Sequence, residues 1–199
     1  MKILMTGFDP FGSESINPAW EAVSRVTAPE GVELTVLQVP TVFEEAGKLV
    51  EEAMETLRPD AVVAVGQAAG RAAVTPEFVA INLMDARIPD NAGAQPSDEP
   101  IAPEGPAAYF ATLPVKALCA AVNAASVPAQ VSYTAGTFVC NSLMYRILRK
   151  AETLNIPRAG FVHIPALPEQ LPRMAAGTPA IPLEDDVKAL EAILSELLK

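Results

Sequence analysis

Ala61-Val62-Val63-Ala64-Val65 is an unbroken apolar run, bounded by Pro59-Asp60 on one side and Gly66 on the other. Its length, its valines and those flanking breakers read as a strand. A strand apolar at every position must be covered on both faces, the mark of a parallel sheet between helical layers. Upstream, Val42 to Leu57 repeats Val42, Ala46, Leu49, Val50, Ala53 and Leu57 near the helical period. Before it, Val32 to Val39 has the β-branched content of a strand, and Asn17-Pro18 opens a helix running to about Ala28. Lys2 to Thr6 is a short buried first strand that ends at Gly7. Downstream, the pattern predicts strands over Glu77 to Leu83, Gln130 to Tyr133 and Ala159 to Ile164. Helices are predicted from Leu113 to Ala125, capped by Thr112, from Asn141 to about Leu154, and from Glu184 to Leu198. Strands alternating with helices specify a three-layer α/β/α sandwich with a mostly parallel, twisted central sheet. Residues 1–199 are expected to form a single α/β domain.

The composition narrows the function classes. A net charge of −10 argues against a nucleic-acid backbone or an anionic membrane surface as partner. No stretch approaches the apolar length of a membrane span, and the short N-terminal run has Asp9 close behind it, so a soluble, cytoplasmic protein is expected. Cys119 and Cys140 then remain thiols, and neither forms a C-x-x-C pair that would suggest zinc or redox chemistry. Phosphate-loop, dinucleotide-binding and G-x-S-x-G signatures are absent. Neither a metal nor a cofactor is expected. The segment Asp85 to Gly105 is long and rich in Pro, Asp, Gly and Asn, a length usually functional or disordered. No apolar patch in the sequence can be assigned to a subunit interface.

In open sheets of this kind ligands collect at the carboxyl ends of the strands. Gly7, Gly66, Gly136 and His163 all fall on that edge. So does Cys140, in Ala135-Gly136-Thr137-Phe138-Val139-Cys140-Asn141-Ser142-Leu143, at the start of a helix. Unpaired N–H groups and the helix dipole there favour an anion, so Cys140 is expected to ionise below the ordinary thiol range and act as nucleophile. The plain alternative is a small buried hydrophobe, a role that suits Cys119 better. His163 is the only histidine; it is either a buried imidazole satisfied by a carbonyl or the partner that takes the thiol proton and hands it to a leaving amine. Asp9, Glu77, Asp85, Asp90 and Glu169 could each orient it, and pattern does not choose among them. The loop Phe8-Asp9-Pro10-Phe11-Gly12 either plugs the core or offers aromatic faces to a flat apolar ligand.

Taken together, several stretches resemble the pyroglutamyl-peptidase I family. They are Thr6 to Gly12 with Asn17-Pro18, Val65-Gly66-Gln67, Thr75-Pro76-Glu77 with Ala80-Ile81-Asn82, and Asp85 to Asn91. Ala108 to Pro114, Ser132 to Asn141, and Phe161 to Pro165 with Pro168-Glu169-Gln170 complete the match in one order along the chain. The resemblance implies a cysteine exopeptidase that removes an N-terminal pyroglutamyl residue through a Glu77–Cys140–His163 triad. It implies a substrate pocket of Phe8, Phe11 and Phe138, main-chain contacts to the lactam at Gln67 and Val139, and Arg87 near the nucleophile. It also implies a homotetramer. Ser13, Phe78 and Met84 depart from the family pattern, which touches local packing or subunit contacts rather than the chemistry. Two other readings stay open: a different cysteine amidohydrolase on this scaffold, and a small-ligand-binding protein with an inert Cys140.

Overall fold

The computed structural model describes residues 1–199. In chain order the elements are β1 (Lys2–Phe8), α1 (Pro18–Val23), β2 (Glu33–Val39), α2 (Phe43–Leu57), β3 (Ala61–Gln67), β4 (Thr75–Pro76), β5 (Val79–Ile81), β6 (Ala108–Phe110), α3 (Val115–Ala124), α4 (Val139–Leu154), β7 (Arg158–Ile164) and α5 (Leu183–Leu197). The central sheet has the order β2-β1-β3-β7-β4, and its first four strands run parallel. The short β4 is antiparallel to β7, and β5 pairs with β6 in a separate two-stranded sheet.

Alternation along the strands sorts the core into two layers. Leu4, Val62, Ala64 and Phe161 face α2 and α4, meeting Phe43, Val50, Leu143 and Ile147. Ile3, Met5, Val63, Val65, Val162 and Ile164 face the other way, onto α1, α3 and α5. The apolar run of β3 therefore supplies both cores, and Ala61 to Val65 are all fully buried. No helix is long and apolar enough to cross a membrane.

Several elements differ from their sequence expectation. Helix α1 stops at Val23, well before Ala28. Past that point Thr27 N–H is taken by the Glu191 carboxylate of α5 at 3.0 Å, so tertiary contact ends the helix. Thr112 does not cap α3; Pro114 holds that position, and the Thr112 hydroxyl accepts the Ala159 N–H at 2.7 Å. The expected strand from Glu77 to Leu83 is broken. Glu77 N–H still donates to Phe161 C=O of β7, but Phe78 N–H donates to Ser132 C=O, and the chain then leaves for β6. Gln130 to Tyr133 forms no ladder, only a single bridge between Ser132 and Glu77 with another between Ala129 and Val74 just before it.

The long segment after Asp85 is docked against the body. Asp90, buried, accepts from Phe43 N–H at the start of α2 and from Ala92 and Ala94 N–H, while Asn91 donates to Pro10 C=O. An apolar cluster that the sequence did not disclose lies outside: Phe78 packs on both Phe110 and Tyr133, each 65% exposed.

Candidate active site

Helix α4 begins one residue before Cys140, with Phe138 in extended conformation as its N-cap. The preceding turn needs a glycine, since Gly136 has φ +78°. Main-chain N–H groups of this first turn lack i−4 partners and surround the cysteine with donors. Asn141 fixes the turn in place: buried, it accepts Ile81 N–H at 3.0 Å and donates to the Ile81 and Leu83 carbonyls. Room for the sulfur comes from Gly66 at the end of β3. A Cβ at that position would lie 3.1 Å from the Cys140 Sγ and 2.7 Å from the Phe161 ring.

Gly66 lies beside His163 in the β3–β7 register, so the thiol carried over Gly66 by α4 and the imidazole on β7 reach the same rim of the sheet. His163 Nδ1 contacts Glu77 Oε1 at 2.6 Å, and both side chains are buried. With a carboxylate at Nδ1, that nitrogen carries the proton and Nε2 presents its lone pair. No hydrogen bond joins Sγ to the imidazole, and such contacts commonly tighten only with substrate bound. Glu77 Oε1 also receives Arg71 Nη1 at 2.6 Å, whereas Oε2 is buried without a partner. Among the acids open from sequence, Asp9 accepts from Thr41, Asp90 caps α2, and Glu169 stands exposed on the turn Pro168–Arg173; Glu77 is the one at His163.

The electrostatics correct one expectation. Desolvation pushes the Cys140 thiol up to about 12, with the Glu77 charge adding to the rise and Arg71 opposing it. The helix start is real, but burial outweighs its pull toward the thiolate. Cys140 is nonetheless only half-buried as a residue. Burial also lowers His163, more than offsetting the Glu77 hydrogen bond and charge that raise it. For Glu77, burial works upward, yet the hydrogen bonds from His163 and Arg71 outweigh it and hold the carboxyl below its usual range. The resting site is thus a neutral thiol and a neutral imidazole beside an ionised carboxylate.

Next to Phe138 lies a cavity of about 410 Å³ lined by Phe11, Asp85, Arg87, Ile88, Gly136, Thr137 and Phe138. Phe11 meets Phe138 at a tilt of 58° with ring centroids 5.4 Å apart, and Phe43 meets Phe138 edge-on at 5.2 Å. Arg87 stands exposed at the rim of this cavity. Phe8 differs from Phe11: it is 2% exposed and packs on Phe161 within the core. Val139 is fully buried in the first turn of α4. The Gln67 side chain is turned away to buried Gln170, which also accepts the Leu167 N–H. Pairing of β1 with β3 ends at Gly7 and Val65, and Ala68 N–H bonds Ile164 C=O. By strand alternation the Gln67 N–H and C=O then face the β1 side, beyond the last pair. No group of three His, Cys, Asp or Glu side chains is placed to hold a metal. Sequence reasoning missed Arg71, Asn141 and Gln170; the only local signal for Arg71 was its place in the turn directly after β3.

Comparison with known proteins agrees with this geometry. The family model described as pyroglutamyl peptidase matches residues 1–198. A pyrrolidone-carboxylate peptidase of Levilactobacillus brevis is 53% identical over 201 residues, covering 100% of this chain and 98% of the relative. One from Streptococcus pyogenes is 50% identical over 196 residues, covering 98% and 91%. The crystal structure of Bacillus amyloliquefaciens pyroglutamyl peptidase I superposes with a TM-score of 0.92 at 46% identity, covering 96% of this chain and 94% of that one. The chain belongs to the pyroglutamyl peptidase family of cysteine peptidases.

Proposed function

We propose that the protein hydrolyses the amide bond after an N-terminal pyroglutamyl residue, with Cys140, His163 and Glu77 as its catalytic triad. The observation that carries this reading is the contact of Glu77 with Nδ1 of the chain's only imidazole, on the strand beside Gly66 and the Cys140 sulfur. Because thiol and imidazole both rest neutral, the proton moves from Sγ to Nε2 as sulfur attacks the pyroglutamyl carbonyl carbon. Glu77 stabilises the imidazolium so formed and holds its tautomer. The oxyanion meets the Cys140 N–H, and in this reading the Arg87 side chain reaches in from the cavity rim as a second donor; losing one such donor typically costs about 10²–10³ in rate. The imidazolium then protonates the departing nitrogen as the C–N bond breaks, releasing the shortened peptide. Water attacks the thioester, giving its proton back through His163, and pyroglutamate leaves as the thiol is restored.

Ring recognition follows from the same residues. Pyroglutamate is a neutral lactam, so its pocket needs aromatic walls, one acceptor and one donor. Phe11 and Phe138 supply aromatic walls tilted against each other, and the Gln67 and Val139 main chain supplies the polar contacts. Phe8 backs this wall from within the core. An uncyclised N-terminal glutamine would bring an ammonium group, whose unpaired burial costs about 2 kcal/mol or more. Assembly as a homotetramer in the cytoplasm belongs to the same proposal, and the exposed Phe78–Phe110–Tyr133 cluster supports a subunit contact.

Release of a fluorophore from a pyroglutamyl anilide tests the assignment. The wild type is expected to cleave it, and Cys140→Ser to lose about 10⁴-fold or more in kcat/KM, the scale seen when a triad nucleophile is removed. Full activity in Cys140→Ser refutes the triad. An inactive wild type that still labels rapidly at Cys140 points to a different amide substrate.

A further inference from the structure

Arg71 lies in the turn after β3, outside every motif that suggested the site. Its guanidinium donates from Nη1 to Glu77 Oε1 and to Thr75 Oγ1, both at 2.6 Å, and from Nη2 to Thr134 C=O at 2.9 Å. Each acceptor belongs to a different part of the machinery. Glu77 Oε1 is the same oxygen that holds His163 Nδ1. Thr75 is the register partner of His163 across β4 and β7. Thr134 opens the segment that leads through Gly136 to Cys140. We infer that Arg71 is a positioning residue of the reaction, a planar fork that locks the triad carboxylate to both the histidine strand and the nucleophile loop. This inference rests on the triad proposed above.

Three physical points carry it. First, Glu77 is 0% exposed, and an ionised carboxylate survives there only with charged or hydrogen-bonded partners. Arg71 is its permanent cation, since the imidazole is charged only during turnover. Second, the Arg71 side chain is itself 27% exposed, so it covers Glu77 on the solvent side without being desolvated entirely. Third, the fork fixes angles as well as distances. Two acceptors on Nη1 and one on Nη2 demand a planar, multiply donating group, which lysine cannot reproduce. Besides Arg71, the titratable groups in this cluster are Glu77, His163 and Cys140. The guanidinium charge lowers both His163 and Cys140, keeping the imidazole neutral and easing removal of the thiol proton.

The test compares Arg71→Gln and Arg71→Lys in the full-length protein, with kcat, KM, the pH profile of kcat/KM and thermal stability measured for each. Arg71→Gln is expected to lose about 10–100-fold in kcat with KM within about threefold, because the fork touches no substrate. Its acid limb is expected to move to higher pH, since His163 loses a neighbouring positive charge. Arg71→Lys keeps the charge and loses the fork, so kcat falls about three- to tenfold while the acid limb stays in place. Wild-type kcat in either variant, or a loss of activity with no separation of the two acid limbs, overturns the inference. If Arg71→Gln does not fold, the Lys variant decides alone: reduced kcat at unchanged KM and folded fraction supports the fork, and wild-type kcat removes it. Failure of the triad itself shows separately, as retained activity in Cys140→Ser.

Discussion

Glu77 and Asp186 are both fully buried carboxyls, one on each side of the sheet, and they end in opposite charge states. Glu77 is met by His163 and Arg71, and these donors hold it ionised against the burial that would neutralise it. Asp186, near the start of α5, has no hydrogen-bond partner on either oxygen. Burial, with Asp185 adding repulsion, raises it to about 8, so it rests protonated at neutral pH. The helix N-terminus around Asp186 favours an anion but does not overcome desolvation, just as the start of α4 does not overcome it at Cys140. Partners, more than burial or helix ends, decide where this protein keeps a charge. Of the two carboxyls that are 0% exposed, only Glu77 at the imidazole has donors, whereas Asp90, the third buried acid, is satisfied by the Phe43, Ala92 and Ala94 N–H groups.

The largest effect that separates the two is on turnover. Glu77→Gln keeps shape but removes the charge that stabilises the imidazolium, so kcat/KM is expected to fall by about 10³–10⁴. Asp186→Asn, the equivalent change across the sheet, is expected to leave kcat/KM within about twofold. Steady-state kinetics on a pyroglutamyl anilide reads both. Equal losses would mean that any buried carboxyl supports activity through the fold alone, and the comparison would collapse.

Stability against pH comes next, and the two signs differ. Asp186 has a folded value above its ordinary 3.8, so the folded state holds the proton more tightly. Its stabilising effect is complete below the unfolded value and is lost as pH rises toward about 8, at about 1.4 kcal/mol per unit. Glu77 lies below its ordinary 4.5, so its contribution is present above that value and is lost as pH falls through the folded one. Denaturant melts of Asp186→Asn between mildly acid and mildly alkaline pH are expected to lose a downward slope of a few kcal/mol in total. Glu77→Gln should flatten only the acid side. A wild-type stability that climbs from pH 5 to 8, and climbs equally in Asp186→Asn, would contradict the protonated resting state.

What was legible in the sequence follows the same division between local and long-range causes. The apolar run at Ala61 to Val65, the Cys140 helix start and the strand end at His163 are local patterns, and the structure places all three at the expected positions. The partner of His163 is not local, because Glu77 lies 86 residues away and its contact depends on how β4 crosses β7. Only family resemblance singled it out. Arg71 was hidden for the same reason: its three acceptors come together only through tertiary packing. The strand expected from Glu77 to Leu83 failed because its residues fit a strand but its hydrogen bonds are divided between β7, Ser132 and β6. The Cys140 acidity failed because a helix start can be read from residues, whereas the desolvation that outweighs it cannot.

The smallest effect is also the least intuitive, and it concerns the nucleophile itself. Glu77 raises the Cys140 thiol through its negative charge, so removing that charge makes the thiolate easier to form. Alkylation of Cys140 by iodoacetamide at a fixed, mildly alkaline pH is therefore expected to quicken in Glu77→Gln, by up to about tenfold for each unit by which the thiol falls. The same variant loses turnover, so the two readouts move in opposite directions. Asp186→Asn should change neither. Cys119 serves as the internal control, since it sits on α3 with a pKa raised by burial alone and should label slowly in every variant. Slower labelling of Cys140 in Glu77→Gln would mean that the carboxylate holds the sulfur in position rather than opposing its charge. The contrast between the two buried acids would then be one of packing, and the pH slopes rather than the kinetics would be the surviving sign of it.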